Sequence, residues 1–434
     1  MGGFRCKSFF SNKVIPAIMK FVSLKGVVAL KDGLLYTMPL TIVGSVFLLL
    51  ANFPIQAVVN WLDSMGWIDP LNQAYGATFN IIALIGVIGI AYKYVKNEGY
   101  EALNAGVLAA VTFILTTDSF VVTESGEIVS NVINKTWTAG QGMISAIIIG
   151  LLVGWIYSWF MKNDIRIKMP AGVPEGVANS FTALIPGFVI VTGATLIYSF
   201  FKFVLDTTFI EAVYAFIQTP LQGLTDSLGG VIVMTLMIPF LWFFGIHGST
   251  IVGGIIGSVL TANSLANQAI LDSGMALTIE NGGRIVTQQF LDQFINVTGA
   301  GMTIGLVIYM IFFAKSAQCK ELGRLGGVPG LFNINEPILF GTPIVMNPFL
   351  AIPFIAMPVI SGLILYFSIA VGLVPMFGGV MVPWTTPPIV SGFLVGGWKM
   401  AVLQTFILAL SFFVYLPFIR KIDKMNLQAE KGTN

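Results

Sequence analysis

Ionisable side chains are what this sequence has least of. Asp, Glu, Lys and Arg make up 10% of its 434 residues, while 56% are hydrophobic; soluble domains carry about 25% charged residues. So few charges cannot cover a water-exposed surface, which excludes a soluble globular fold and leaves a polytopic membrane protein. A net charge of +2 gives no basic excess for nucleic acid. Two cysteines, Cys6 and Cys319, and one histidine, His247, complete the short inventory. That set builds neither a disulfide framework nor a histidine-rich metal site. No phosphate loop and no H-E-x-x-H motif occurs, so no metal and no cofactor is expected. Residues 1–31 are basic but lack the apolar core and cleavage site of a signal peptide.

What remains is hydrocarbon in long runs. Charge-poor stretches predict spans near 33–52, 78–94, 102–117, 139–161, 183–204, 229–246, 248–262, 294–314, 349–372 and 399–419, each to be matched to about 30 Å of hydrocarbon. Eighteen of the 22 basic residues lie in the N-terminal segment, in 93–101, 162–182 and 315–328, and in the C-terminal tail. The loops between, 53–77, 118–138 and 205–228, hold eight acids and only Lys135. The positive-inside rule then places both termini in the cytoplasm. Phe10, Val14, Ile18 and Phe21 recur at helical spacing among lysines, the pattern of an amphipathic helix on the inner membrane surface.

Two proline-rich apolar segments do not fit an alternating count: 329–347 on the inner side and 375–397 on the outer. Re-entrant hairpins are expected there, because broken backbone survives at membrane depth only where protein or a water-filled cavity covers it. The 228–262 stretch would reach about 52 Å as one helix, so it must turn; Gly245 and Gly248 could supply the break, giving either two short spans or a re-entrant loop. Residues 263–293 read as a polar extracellular loop. The expected fold is therefore all-α, with about ten transmembrane helices and two hairpins. Its segments are a cytoplasmic piece (1–31), a scaffold (32–228), a working domain (229–419) and a tail (420–434).

The few polar groups inside the apolar runs carry the functional argument. His247 sits in W-F-F-G-I-H-G (242–248), within a charge-free run from 227 to 271. Glu336 sits in N-I-N-E-P-I-L-F-G-T-P (333–343) and is followed by 62 residues without a charge. Ionisable groups at membrane depth are costly and mark function by default. Pro337 blocks helix continuation from upstream and suits a first helical turn, so Asn333, Asn335 and Glu336 are expected at the tip of a half-helix, the device of midplane transporter sites. Amides and a carboxylate supply the directional acceptors and donors that sugar hydroxyls need. Trp242 lies beside His247, and Trp384 with Thr386 lies in V-P-W-T-T-P-P (382–388); aromatic faces can stack on the apolar C–H surface of a pyranose.

These motifs resemble the membrane component, enzyme IIC, of the bacterial phosphotransferase system, in its lactose, cellobiose and N,N′-diacetylchitobiose branch. The resemblance implies a homodimer in the bacterial plasma membrane. The N-terminal half would form the dimer interface, and the C-terminal half would hold one disaccharide. It implies that His247 and Glu336 contact the sugar near the hydroxyl to be phosphorylated, with Asn333, Asn335, Trp242, Trp384 and Thr386 nearby. It also implies that a cytoplasmic enzyme IIB, itself phosphorylated by enzyme IIA, phosphorylates the sugar as it moves inward. The tails, 1–31 and 420–434, are too short for either protein, so both are expected on separate chains. The residues alone leave other readings open. An ion-coupled sugar transporter would have to use Glu336 as its single intramembrane acid; an enzyme acting on a lipid-linked sugar would need a cluster of metal-binding acids; a channel would not need the asymmetric His/Glu pair.

Overall fold

A computed structural model describes residues 20, 23–53, 55–123, 125–170, 172–245, 247–342, 344 and 347–432. The amphipathic helix expected on Phe10, Val14, Ile18 and Phe21 lies outside the described residues, as do Cys6 and Pro343. The chain forms two compact units, one of residues 1–44 and 73–221 and the other of 45–72 and 222–434.

Small residues organise the first unit. Helices α1 (Lys25–Leu34), α2 (Met38–Ala51), α3 (Ile68–Phe79), α4 (Ile82–Asn97) and α5 (Leu103–Leu115) are followed by α6 (Met143–Lys162) and α7 (Leu184–Val204). α4 is the hub, packed against both α1 and α6. Between two apolar helices in an apolar solvent, close backbone approach replaces the hydrophobic effect as the driving force. Gly33 of α1 meets the backbone of Gly89 and Ile90, and Gly150 and Gly154 of α6 meet Ile90 and Tyr94. A methyl group at any of these positions would collide with its neighbour. Gly154→Leu is therefore expected to destabilise the protein by about 1–3 kcal/mol through overpacking. Thermal melting of the detergent-solubilised protein checks this, and an unchanged midpoint would mean that the α4–α6 seam has slack. On α7, Phe188, Leu196 and Phe203 point outward and are exposed, as a hydrocarbon solvent permits.

A β-ribbon departs from the all-α expectation. Phe120–Val122 (β1) and Ile128–Ser130 (β2) pair antiparallel, with Val121 opposite Val129. The β-branched run V-V-T and the later I-V favour extended backbone, and Gly126, at φ +83°, makes the turn. Asp118, just before β1, accepts hydrogen bonds from Tyr198 (2.7 Å) and Lys202 (2.9 Å) of α7 and so ties the ribbon to that helix.

The second unit contains α8 (Leu228–Phe243), α9 (Gly248–Asp272), α10 (Ile304–Phe312), α11 (Ala317–Leu331), α12 (Glu336–Gly341), α13 (Pro348–Ala370) and α14 (Val390–Gly432). α8 packs on α13, and α10 on both α11 and α14. Six helices among the described residues are long and apolar enough to cross a bilayer: 68–97, 140–162, 175–204, 248–272, 349–370 and 390–431. A further crossing arises if Phe209–Thr225 and Leu228–Phe243, bent by 71°, act as one broken span.

Three segments differ from the sequence reading. The 263–293 stretch is not a loop throughout, because α9 continues to Asp272. Asn263, Asn267 and Gln268 are buried on it and hydrogen-bond to backbone elsewhere: Asn263 donates to the carbonyl of Val286 (2.7 Å) and Asn267 to that of Phe377 (2.8 Å). The basic stretch 315–328 is helix α11, whose N-terminus is capped by Ser316. The buried Asp423 of α14 joins that cap, accepting from the amides of Lys315 and Ser316 at 2.9 Å each and from the Ser316 hydroxyl at 2.8 Å. Glu430 accepts from the amides of Ala317 and Gln318. Carboxylates at a helix start satisfy its orphan N–H groups. Finally, the span expected at 294–314 is helical over only nine residues. A π turn at Leu291–Ile295 precedes it, and Thr298, Gly299, Gly301 and Met302 all adopt positive φ.

Candidate functional site

The break between α8 and α9 places the histidine. Gly245, at φ +76°, turns the chain after Phe244. Gly248 then lies so close to the carbonyl of Ile238 that no Cβ would fit. The first turn of α9 is thus pressed onto α8, and His247 becomes the N-cap of α9. Its Nδ1 accepts the Thr250 amide hydrogen at 3.2 Å, with the Thr250 hydroxyl at 2.8 Å. Because an N–H group fills the Nδ1 lone pair, the neutral ring carries its proton on Nε2. The ring is supported from behind by Trp242, with centroids 4.4 Å apart.

The facing group comes from the turn between α11 and α12. Pro329 lies in the last turn of α11, the chain reverses through Asn333 at φ +63°, and α12 starts at Glu336 with Pro337 behind it. Asn tolerates the left-handed region better than most residues. Glu336 Oε1 lies 4.0 Å from His247 Nε2. Its other oxygen, Oε2, is buried with no hydrogen-bond partner among the described residues. A gap of 4.0 Å is too long for a hydrogen bond. It suits one hydroxyl oxygen about 2.8 Å from each group, accepting from Nε2–H and donating to the carboxylate.

The remaining expected site residues separate into two kinds. Trp384 is 47% exposed, with its ring open. Trp242 is 4% exposed, so it backs the histidine ring and is not free to act as a stacking platform; its indole N–H has no partner among the described residues. Asn333 and Asn335 differ from the expectation of amides directed at a sugar, because both are committed to backbone. Asn333 Oδ1 accepts from the Thr298 amide at 2.6 Å, and its Nδ2 donates to the carbonyls of Trp384 and, at 3.1 Å, Thr386. Asn335 donates to the carbonyl of Ala300 (2.7 Å) and to the Thr303 hydroxyl (2.9 Å). The contact made by Thr386 is through its backbone; its carbonyl is one of the two that Asn333 holds. The turn bearing Glu336 and the loop bearing Trp384 are therefore joined by one side chain.

Several residues that act here went unnoticed in the sequence. Thr250 fixes the histidine tautomer; its place three residues after an N-cap was the available signal. Gln289 donates to the carbonyls of Gly378 (2.7 Å) and Val380 (2.8 Å), and Gln268 accepts from the amide of Gly379 (2.8 Å). These amides satisfy the irregular backbone of 371–389 where no strand or helix does.

Comparisons with known proteins agree with this architecture. The chain matches the family model described as "Phosphotransferase system, EIIC" over residues 31–358. It is 38% identical to the cellobiose-specific EIIC component of Geobacillus stearothermophilus, covering 97% of this chain and 95% of the relative. It is 30% identical to the lactose-specific EIICB component of Lacticaseibacillus casei, covering 97% of this chain and 72% of the relative. The crystal structure of ChbC, the IIC component of the N,N′-diacetylchitobiose-specific phosphotransferase system, superposes with a TM-score of 0.93 at 38% identity, over 98% of this chain and 99% of that one. The chain belongs to the phosphotransferase system EIIC family and is a sugar-specific permease of that system.

Proposed function

We infer that the protein binds a disaccharide between His247 and Glu336 and carries it inward, where a phosphorylated enzyme IIB transfers phosphate to its 6-hydroxyl. The single observation that carries this is the 4.0 Å separation of His247 Nε2 and Glu336 Oε1 beside an unpartnered, buried Oε2: a donor and an acceptor aimed at one place, with nothing between them. Trp384 supplies the flat apolar face on which one sugar ring stacks. The specificities printed for the relatives (cellobiose, lactose, diacetylchitobiose) support a disaccharide over a monosaccharide. About ten spans, two re-entrant segments near 329–347 and 375–397, cytoplasmic termini and a homodimer in the plasma membrane complete the reading; the distribution of basic residues supports the orientation.

Purified protein is expected to retain one radiolabelled member of a cellobiose, lactose and diacetylchitobiose panel at micromolar concentration. Uptake of that sugar in cells is expected to stop when enzyme IIB is deleted and to survive collapse of the proton gradient. Uptake that persists without enzyme IIB and disappears with the gradient would instead identify an ion-coupled transporter.

A further inference from the structure

The loop that carries Trp384, residues 382–389, contains Pro383, Pro387 and Pro388 and makes no regular ladder. Three side-chain amides from three elements hold its backbone. Gln293, in the π turn, donates to the carbonyl of Val382 at 3.4 Å, where the loop begins. Asn333 holds the middle through the carbonyls of Trp384 and Thr386. Gln404, on α14, holds the end. Its Oε1 accepts from the amides of Ile389 (2.5 Å) and Gly392 (3.1 Å), and its Nε2 donates to the carbonyl of Gln293 (2.6 Å) and the hydroxyl of Ser391 (3.1 Å). Gln404 is fully buried and is the only side-chain amide in 399–419.

Two backbone features depend on this clamp. Ile389 has φ +71°, a conformation that a β-branched residue adopts only when its surroundings impose it. Gly392 lies so close to Gln404 Oε1 that a Cβ would press against it. α14 is also broken at Gly396 and Gly397, and Gln404 lies beyond the break. Its amide reaches back across the kink to the residues that leave the loop. A buried group without a hydrogen bond is penalised, so the amides of Ile389 and Gly392 have reason to keep this geometry and no other.

We propose that Gln404 is a positioning residue for sugar recognition: it fixes the end of the 382–389 loop and, through that loop, the ring of Trp384. This rests on Trp384 stacking on the sugar, as read above. The test is a double-mutant cycle on the full-length protein. The radiolabelled disaccharide that the panel of three retains best serves as the probe. Gln404→Met is expected to weaken its binding about tenfold, the scale of one well-made buried polar interaction. Trp384→Ala is expected to weaken it at least as much. The double variant should then bind within about twofold of Trp384→Ala alone, since residues acting through one contact are not additive. In hydrogen exchange, Gln404→Met should speed exchange in peptides covering 382–392 and leave those of α4 unchanged.

Losses that add, or a Gln404→Met protein with both affinity and exchange unchanged, overturn the proposal. If Gln404→Met does not fold, Gln404→Glu carries the same cycle. It keeps the acceptor for Ile389 and Gly392 but sets a second acceptor against the Gln293 carbonyl. A Trp384→Ala protein that binds normally overturns the stacking reading itself, and the positioning role with it. That outcome is distinct from failure of the proposal alone, in which Trp384→Ala weakens binding and Gln404→Met adds to the loss.

Discussion

Glu336→Gln is expected to slow phosphorylation of bound sugar by about 10²–10⁴-fold, the usual worth of a positioned general base, while disaccharide binding weakens by about tenfold or less. The argument begins with what the substitution leaves in place. Gln has the same shape and still presents an acceptor oxygen toward His247 Nε2, so a sugar hydroxyl lying between them keeps its donor and one acceptor. What disappears is the ability to take up a proton as the 6-oxygen attacks phosphorus. The carboxylate suits that task here: one oxygen faces the imidazole at 4.0 Å, and the other has no partner among the described residues, so neither is neutralised by a cation in advance. Measuring binding with radiolabelled disaccharide, and phosphorylation in a system reconstituted with phosphorylated enzyme IIB, separates the two effects. Equal loss of both would reduce Glu336 to a binding residue.

Asn333→Asp is expected to abolish measurable disaccharide binding and to destabilise the second unit by about 2–4 kcal/mol, on the scale of buried polar groups deprived of partners. Asp keeps the shape, tolerates the left-handed backbone and still accepts from Thr298. The change is confined to the other end of the side chain. There Nδ2 donates to the carbonyls of Trp384 and Thr386; in the variant a carboxylate oxygen would face both. The loop must then move away from the turn carrying Glu336. Asn333→Gly, which permits the backbone but removes the bonds, should show most of the same loss of affinity. Calorimetric or fluorescence melting together with sugar binding checks both variants, and an Asn333→Asp protein with native affinity would show that the two segments need no common tie.

The sequence made the breaks legible because the residues that cause them act locally. Pro337 cannot donate a helical hydrogen bond, and Gly245 and Gly248 stand on either side of a lone histidine, so the tip at Asn335 and the turn at 244–247 could both be expected. His247 and Glu336 stood out because each is the only ionisable group in a long apolar run. What could not be read was where buried amides direct themselves. Asn263, Asn267 and Gln268 looked like a solvated loop because polarity alone does not tell water from a distant carbonyl. Their partners, Val286, Phe377 and Gly379, lie between 23 and 111 residues away. For the same reason Asn333 and Asn335 resembled ligands when their amides are joined to backbone. The ribbon at 120–130 was hidden by a composition dominated by membrane helices, although its β-branched run is visible once sought.

α14 is the one element bonded to both broken segments. Near its start Gln404 grips the loop that presents Trp384; near its end Asp423 and Glu430 grip the first residues of α11, the helix that leads to Glu336. A sugar seated there is held by parts hung from a single beam. If that beam shifts, floor and ceiling of the cradle travel together, and the cargo can change the side it faces without any of its own bonds being undone.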